Sequence, residues 1–377
     1  MHRYLRKINN WNIDWVLVGS VIPLLLAGLV TMSSFVGKNY FFERQLMWIA
    51  VAFVVMFAGS FIDWRFLRQS KVVSIVYVVG VLILSLLFFV DKIKGAQSWI
   101  SFGTVSFEPA NLMGLSLILV LAKYFSRRHI EIANIRHIIF SGLYAFLPFV
   151  LILIQPNFGS AIIIFLIWLG MISVSGVSKK HLLAIFALII IFFLISWLFV
   201  FKPYQKARII TFIHPLTDVQ GAGYNALQSQ IAVGSGQILG KGVGYGTQSR
   251  FSFLPEYQTD FIFAAFAEEW GLGGVALVFL MYSLLIWRIM ANATVGATNF
   301  ETLFGVGVAI LLMSYFVIHV GMNIGLLPVT GLPLPFMSYG GSHLLTEFIA
   351  LGILLGMRKY SLAYHRDDVH NEFLGPQ

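Results

Sequence analysis

The chain has 377 residues, of which 58% are apolar or aromatic and only 11% are charged, against roughly 25% charged in an ordinary soluble domain. Because surface-to-volume scaling leaves a soluble fold of this size too little interior for so much apolar surface, the composition excludes a soluble enzyme, a disordered chain and a secreted disulfide scaffold, and it predicts a polytopic membrane protein. The sequence has no cysteine, and its net charge of +9 comes mostly from basic residues that flank apolar runs, without the basic and aromatic stripe that would predict nucleic-acid binding.

Apolar runs long enough to cross a bilayer recur along the whole chain. A membrane-spanning helix needs about 20 mostly apolar residues. Prolines and glycines break the two longest uncharged stretches, at residues 155–159 and 328–341. The sequence therefore predicts an all-α integral-membrane protein with a single domain, residues 1–377, and about ten transmembrane helices. The predicted spans are about 15–36, 45–63, 72–90, 109–125, 138–155, 159–176, 182–201, 261–287, 302–326 and 343–357.

The basic residues predict the orientation of these spans. With the N-terminus inside, 16 of the 25 Lys and Arg residues fall in cytoplasmic segments and only four in short outer loops, as the positive-inside rule requires. An even number of spans then places both termini in the cytoplasm. The remaining five basic residues lie in one long extracytoplasmic loop, residues 202–260, between spans 7 and 8.

The 202–260 loop is too long for a simple connection, since structureless loops beyond about 15 residues are uncommon and usually functional. Two apolar residues four apart predict a short interfacial helix over Tyr224–Val233, and six glycines follow from Gly234 to Gly246. Lys241 lies among these glycines, but their spacing is not that of a nucleotide-binding phosphate loop. Two interpretations stay open for Lys241: a solvated side chain in a flexible loop, or a contact for an anionic lipid head group.

Five titratable residues lie in or beside predicted spans, where an ionisable group is by default a functional hypothesis. Asp260 lies where the long loop enters the eighth span. A carboxylate there can act as a general base, but an Asp before an apolar run is equally a routine helix N-cap. Glu268 and Glu269 follow two turns further on and can pair with a basic side chain or with a bound cation. Glu347 and His319 raise the same question in the last two spans.

The segment from 328 to 342 contains too many prolines and glycines for a continuous helix. Irregular backbone at membrane depth is tolerated only where protein or a water-filled cavity lines it. We therefore expect this segment to dip into a cavity that faces the long outer loop. The sequence has no HExxH, GxSxG or Asp-x-Asp pattern, which removes support for ordinary metallopeptidases, serine hydrolases and metal-dependent nucleotide-sugar transferases.

Several motifs follow one another along the second half of the chain: Gly223-Tyr224-Asn225, Phe253-Leu254-Pro255-Glu256, Thr259-Asp260-Phe261-Ile262-Phe263-Ala264, Glu268-Glu269-Trp270-Gly271 and the Gly331–Ser342 segment. They resemble the motifs of one known family, the SEDS proteins (shape, elongation, division and sporulation), which include RodA, FtsW and SpoVE. The resemblance covers nearly the whole chain. Within the family, Gly240-Lys241-Gly242 and Gly246-Thr247-Gln248-Ser249 are more similar to the elongation branch, RodA, than to the division branch.

The resemblance implies a peptidoglycan glycosyltransferase of the bacterial cytoplasmic membrane, which polymerises lipid II on the extracytoplasmic side during cell elongation. Asp260 matches the family's catalytic aspartate. In the implied mechanism it deprotonates the GlcNAc 4-hydroxyl of one lipid-linked unit. That oxygen attacks the anomeric carbon of another unit, undecaprenyl pyrophosphate leaves, and the anomeric configuration inverts. The implied partners are lipid II, membrane lipid and a class B penicillin-binding protein, which is a transpeptidase.

A pyrophosphate leaving group needs positive charge nearby. The outer candidates are Arg44, Arg208 and Lys241; the alternative is a divalent cation such as Mg²⁺ or Mn²⁺ held by Asp260 and Glu256. Glu256 is also a candidate for orienting the acceptor. The resemblance implies further substrate contacts at Trp99, Asn157, Gln248 and Ser338.

The sequence departs from the family's usual pattern at several positions in and near the second outer loop and in later spans. The usual residues are Arg, Gln, Glu, Lys, Asp and Asn where this chain has Ser98, Glu108, Asn111, Gly114, Asn157 and His319. These changes remove two cations and leave Asp260 intact, which we interpret as a divergent lineage with compensating changes.

Two alternatives to a polymerase stay open. The first is a flippase or other transporter of a lipid-linked precursor, which would need a polar path through the spans, whereas polar groups here concentrate on the outer side. The second is a non-catalytic scaffold for a class B penicillin-binding protein.

Overall fold

The structure, a computed structural model, describes residues 13–34, 40–90, 97–102, 105–127, 135–199, 206, 210–214, 222–251 and 253–374. These residues are predominantly helical, and two short strands form one antiparallel hairpin. Seven of the described helices are long and apolar enough to cross a membrane. The chain is therefore a helical polytopic membrane protein, as its composition predicts.

The helices follow the predicted spans closely. Each of the ten predicted spans overlaps one helix, and the helix predicted at Tyr224–Val233 is present within α8; the number of crossings itself stays a prediction. In chain order the helices are α1 (Trp15–Ser33), α2 (Tyr40–Phe61), α3 (Ser70–Leu86), α4 (Pro109–Ser126), α5 (Ile135–Ile154), α6 (Phe158–Val174), α7 (Lys179–Phe199), α8 (Ala222–Ser235), α9 (Thr247–Arg250), α10 (Ile262–Thr294), α11 (Asn299–Asn323) and α12 (Gly341–Leu374).

Several helices begin at residues that favour a helix N-terminus. Helix α4 begins at Pro109, whose fixed φ suits the first helical position and whose missing N–H is not needed there. The side chain of Asn157 caps α6 by accepting a hydrogen bond from the Ser160 N–H at 3.1 Å. Thr298 and Glu301 form a reciprocal capping box at the start of α11.

Helix α4 lies at the centre of the bundle, with 14 of its 18 residues buried, whereas only six of the 22 residues of α2 and three of the 17 residues of α3 are buried. Helix α12 packs closely along α2, where a Cβ added to Gly59 would lie 3.4 Å from the Cα of Gly352. Large apolar side chains of the peripheral helices remain exposed, among them Val54, Leu82 and Phe199. Such a surface would aggregate in water, and a lipid bilayer accommodates it.

The structure differs from the sequence prediction in three places. Strands β1 (Ile100–Phe102) and β2 (Val105–Phe107) pair antiparallel where only a loop was expected, because three-residue strands are too short to show an alternating pattern. Helix α10 continues to Thr294 and α12 to Leu374, beyond the predicted ends of their spans. Charged residues end an apolar run at a membrane surface, but they do not end a helix.

The two ends of the bundle differ in chemistry. At one end, ion pairs join Arg288 to Asp14 at 2.5 Å and Arg68 to Glu301 at 2.7 Å; we call it the arginine end. At the opposite end, the cavity end, α8 and the 331–342 segment meet the start of α10 and the end of α11 around a cavity.

Candidate active site

The cavity has a volume of about 290 Å³. Two carboxylates line it, Asp260 and Glu256, and several neutral polar side chains accompany them. Aromatic and aliphatic side chains complete the wall, as is usual for a site that binds an organic ligand. The lining residues are Thr211, Phe212, Asn225, Ala226, Gln230, Pro255, Glu256, Asp260, Phe261, Met322, Gly325, Leu327, Pro328, Val329, Thr330 and Gly331.

A tight turn of residues 255–261, which we call the Asp260 turn, carries both carboxylates. The carbonyl oxygen of Glu256 accepts hydrogen bonds from the N–H groups of Thr259, Asp260 and Phe261 at 3.1, 3.1 and 3.3 Å. Glu256 itself has φ +49°, a left-handed conformation that is unfavourable for a residue with a side chain. Strained residues of this kind concentrate at functional sites, where the surrounding structure holds them in place.

The 331–342 segment fixes the Asp260 turn from outside. The Ser338 hydroxyl donates to the Thr259 carbonyl at 2.8 Å, and the Tyr339 N–H donates to the Gln258 carbonyl at 2.8 Å. Gly331, with φ +74°, approaches the carboxylate so closely that an added Cβ would lie 3.5 Å from Asp260 Oδ2. Thus Ser338, a predicted substrate contact, holds the backbone of the turn.

Asp260 is not the N-cap of α10. The N-cap is Phe261, and no side chain caps the helix from that position. A residue that sequence reasoning missed supports this helix start: Asn323, fully buried at the end of α11, donates its Nδ2 to the Asp260 carbonyl at 3.1 Å. No local pattern could have found Asn323, because it lies 63 residues from Asp260.

Glu268 is fully buried, and protein groups satisfy it. Its Oε1 accepts hydrogen bonds from Lys241 Nζ at 2.6 Å and from both the hydroxyl and the N–H of Thr247 at 2.9 Å. The Gln248 N–H donates to Oε2 at 3.2 Å. Lys241 and Gln248, both predicted substrate contacts, therefore belong to this cluster and are not among the residues that line the cavity.

The backbone of the glycine-rich loop, residues 236–246, pairs with α10 around a kink at Gly271, which has φ +61°. The N–H groups of Lys241 and Gly242 donate to the carbonyls of Glu268 and Glu269, each at 3.0 Å. On the other side of the kink, the carbonyls of Gln237 and Ile238 accept from the N–H groups of Leu272 and Gly273 at 2.8 and 3.1 Å. These glycines allow two backbones to approach each other.

Three of the positions at which the sequence departs from the usual family pattern are in direct contact. The buried carboxylate of Glu108 accepts hydrogen bonds from Asn157 Nδ2 at 2.8 Å, Ser160 Oγ at 3.0 Å and Asn111 Nδ2 at 3.2 Å. The Tyr315 hydroxyl in turn donates to Asn111 Oδ1 at 3.0 Å. Asn157 thus contacts Glu108 and caps α6, and it does not line the cavity.

His319 and Glu347, which lie in the last two helices, contact the 331–342 segment. His319 Nδ1 lies 2.7 Å from the Leu332 carbonyl, and Glu347 Oε2 accepts from the Phe336 N–H at 3.1 Å. His343 Nε2 lies 2.9 Å from Glu347 Oε1 without hydrogen-bond geometry. These residues therefore support the segment that fixes the Asp260 turn.

Arg44 lies beside this region rather than in the cavity wall. Its guanidinium stacks 4.4 Å from the centre of the Tyr40 ring and hydrogen-bonds Tyr339. Partial burial raises the pKa of Tyr339, against the opposing effect of Arg44, and partial burial also raises the pKa of Tyr257. Both hydroxyls are therefore protonated at neutral pH, and neither competes with a carboxylate as a base.

The other predicted contacts are dispersed. Trp99 immediately precedes β1 and does not line the cavity. Arg208 lies outside the described residues. Of the predicted site residues that the structure describes, only Asp260 and Glu256 share the cavity lining.

Within the described ranges, no group of three or more His, Asp and Glu residues is arranged to hold a metal ion. Mg²⁺ is commonly held by one or two carboxylates together with substrate phosphates and waters. Asp260 and Glu256, which line one cavity, fit that type of site, and the cation stays a prediction.

A family model described as "Cell cycle protein", which covers FtsW, RodA and SpoVE, matches residues 11–362. The chain belongs to the FtsW/RodA/SpoVE family. It is 32% identical over 351 residues to the peptidoglycan glycosyltransferase MrdB of Escherichia coli K12, and this alignment covers 93% of this chain and 94% of MrdB. It is 33% identical over 360 residues to the stage V sporulation protein E of Bacillus subtilis 168, covering 92% and 97% of the two chains.

Solved structures of this family have the same fold. A chain of a peptidoglycan synthase complex that coordinates polymerization and crosslinking matches with a TM-score of 0.80 and 29% identity, covering 93% of this chain and 98% of that one. The rod shape determining protein RodA of Thermus thermophilus matches with a TM-score of 0.68 and 28% identity, covering 92% and 97%.

Proposed function

We propose that this protein is a peptidoglycan glycosyltransferase that polymerises lipid II, with Asp260 as its general base. The observation that carries the proposal is that Asp260 and Glu256 line one cavity while the backbone that bears them is held by other residues. A fixed carboxylate beside a ligand-sized cavity is the arrangement that base catalysis requires. Membership of a family that includes the glycosyltransferase MrdB supports the same reaction.

In the proposed reaction, Asp260 takes the proton of the GlcNAc 4-hydroxyl on one lipid-linked unit. The oxygen forms a bond to the anomeric carbon of the second unit as the bond from that carbon to the pyrophosphate breaks. Undecaprenyl pyrophosphate carries away the bonding electrons, and attack from the opposite face inverts the anomeric centre. Glu256, which lines the same cavity, is the proposed residue for orienting the acceptor.

The departing pyrophosphate requires positive charge. Arg44, close to the 331–342 segment, and Arg208 are the proposed protein cations. A divalent cation held by Asp260 and Glu256 would neutralise the same charge when bound. Lys241 is less suited to this role, because its ammonium group already pairs with Glu268 at 2.6 Å.

We propose that the cavity end faces the outside of the bacterial cytoplasmic membrane. The distribution of basic residues supports this orientation, since the arginine end carries the segments predicted to be cytoplasmic. The proposed partner is a class B penicillin-binding protein, supported by the match to a chain of a peptidoglycan synthase complex that joins polymerization to crosslinking. Elongation is the proposed setting, supported by the matches to MrdB and RodA.

The test is lipid II polymerisation by the purified full-length chain, with and without a class B penicillin-binding protein. We expect glycan product from the unaltered chain and none from Asp260→Ala. Asp63→Ala is the matched control, because that carboxylate is exposed at the arginine end and pairs only locally with Arg65. Unchanged product in Asp260→Ala would exclude Asp260 as the base. Outward movement of labelled lipid II without polymer would indicate a flippase, and a transpeptidase that needs this chain but yields no polymer would indicate a scaffold.

A further inference from the structure

Helix α10 begins immediately after the proposed base, yet the side chain of its own N-cap residue accepts no hydrogen bond from the helix. The first N–H groups of a helix have no acceptor within the helix. Phe261 occupies the N-cap position, and a phenyl ring cannot accept from them. Asp260, one residue earlier, is the nearest side chain of the type that usually does so.

Asn323 supplies the missing acceptor from another helix. Its Oδ1 accepts a hydrogen bond from the Ala264 N–H at 3.3 Å, which is the third residue of α10 and a usual target of a capping side chain. Its Nδ2 donates to the carbonyls of Asp260 at 3.1 Å and His319 at 2.8 Å. The Ser229 hydroxyl of α8 lies 3.2 Å from Oδ1 as a further donor.

These contacts occupy three of the four hydrogen-bonding positions of one amide side chain, because an Asn has two donor and two acceptor positions and the side chain bonds Ala264, Asp260 and His319. The side chain is fully buried, and the single proton of the Ser229 hydroxyl is shared between Asn323 Oδ1 at 3.2 Å and the Asn323 carbonyl at 2.9 Å. The partners come from α8, from both sides of the start of α10 and from α11. Asn323 therefore joins three of the elements that enclose the cavity.

We propose that Asn323 caps α10 in trans and is thereby a positioning residue for Asp260, an inference that rests on the proposed function. Because Asn323 accepts from the helix N–H and holds the Asp260 carbonyl, the Asp260 carboxylate is not needed as a cap. It lines the cavity beside Gly331. The same aspartate, without Asn323, would turn toward the uncapped helix end.

The experiment measures kcat, KM for lipid II and the pH–rate profile of the full-length chain purified with its class B transpeptidase. In Asn323→Ala we expect kcat to fall by about 10–100-fold with little change in KM, since small misplacements of a catalytic group have effects of this size. The acid limb of the profile should move to lower pH, because a carboxylate that accepts helix N–H bonds is harder to protonate. Glu256, the other carboxylate of the cavity, is unchanged in every variant.

Asn323→Asp provides a second, oppositely signed test. Its carboxylate still accepts from Ala264 and Ser229, so α10 stays capped, but it cannot donate to the Asp260 carbonyl and adds a negative charge nearby. We expect kcat to fall while the acid limb moves to higher pH. This variant decides the question if Asn323→Ala does not fold.

Asn292→Ala is the matched control, because Asn292 is a buried asparagine near the other end of α10 whose Nδ2 has no hydrogen-bond partner. We expect its kcat and pH profile to match those of the unaltered chain. If Asp260→Ala is inactive but both Asn323 variants keep kcat and the acid limb unchanged, the positioning role is wrong and the proposed function stands. If Asp260→Ala is active, the proposed function fails and the inference fails with it.

Discussion

Asp260 and Glu268 are two acidic residues that lie eight positions apart in the chain, and their surroundings differ. At Asp260, neighbouring groups bind the backbone, and the carboxylate lines a cavity. At Glu268, the carboxylate itself accepts hydrogen bonds from Lys241, Thr247 and Gln248, and it has no exposed surface. Both acids lie beside glycine-rich or proline-rich segments, and both belong to family motifs.

The difference separates a carboxylate that lines a candidate binding site from a carboxylate that stabilises the fold. A buried carboxylate is costly unless donors satisfy it. Where protein donors do so, as at Glu268, the acid joins two segments and has little left to offer a ligand. At Asp260, donors from other segments hold the backbone, and the carboxylate lines the cavity.

The first prediction separates catalysis from folding at Asp260. Asp260→Asn keeps the size of the side chain but removes its basicity, so we expect kcat for lipid II polymerisation to fall by about 10²–10⁴-fold. We expect the loss of kcat to exceed any change of Tm, because the bonds from Asn323, Ser338 and Tyr339 hold the backbone of the turn. A lower Tm with undiminished kcat would reverse the proposed roles of the two acids.

The second prediction concerns Glu268. Glu268→Gln leaves the Lys241 ammonium without its charged partner, and breaking a buried ion pair typically costs about 3–5 kcal/mol. We expect the lower end of that range, because Lys241 is 29% exposed. Denaturant unfolding in detergent measures the free energy of unfolding, and kcat per folded molecule should change little. Adding Lys241→Met should recover part of the loss; a double variant less stable than the single one would contradict the pairing.

The third prediction extends the contrast to Glu108, whose donors are all neutral. Asn157→Asp places a second carboxylate against Glu108 at the site of a 2.8 Å hydrogen bond, and we expect it to lower the free energy of unfolding by about 1–3 kcal/mol. The double variant Glu108→Gln with Asn157→Asp restores one amide and one acid. We expect a favourable coupling of about 0.5–3 kcal/mol in the double-mutant cycle. Additive effects would show that the two positions do not compensate each other.

The smallest expected effect lies in the glycine-rich loop. Gln237 has φ +49°, so Gln237→Gly should raise the free energy of unfolding by about 0.5–1 kcal/mol without changing kcat. Gly240→Ala is the opposing control, because Gly240 has φ +78° and an added Cβ would lie 2.1 Å from the Glu269 carbonyl oxygen. A change of kcat in Gln237→Gly would indicate that this loop takes part in catalysis.

The sequence predicts most of the fold because the apolar runs report directly on lipid-facing and buried helices. The helix boundaries at 155–158 and the α8 helix follow from proline, glycine and apolar spacing. The hairpin at Ile100–Phe107 does not follow, since its strands are too short to carry a period. The continuation of α12 to Leu374 does not follow either, because hydropathy describes the bilayer and not the end of a helix.

The candidate site is only half predictable, because its decisive partners are distant in sequence. The local sequence leaves open whether Asp260 is a helix N-cap or a base. Asn323 supplies the hydrogen bond to the N-terminus of α10 at Ala264, 59 residues away in the chain. The local sequence of Lys241 is compatible with a contact for an anionic ligand, but its ammonium group binds Glu268, which lies 27 residues further along the chain. Likewise Asn157 contacts Glu108 across 49 residues of chain. Such pairings depend on tertiary packing, which no local spacing encodes.

The two backbone hydrogen bonds from Lys241 and Gly242 to the carbonyls of Glu268 and Glu269 also have a topological effect. They close a loop of chain that contains the Asp260 turn. The entropy cost of ordering this turn therefore depends on the length of that closed loop and not on the length of the whole 202–260 connection. Amide protons inside this loop should therefore exchange with solvent together, when the two closing hydrogen bonds break, and not one at a time. Backbone contacts before and after Asp260 in the chain therefore hold the segment that contains the proposed base.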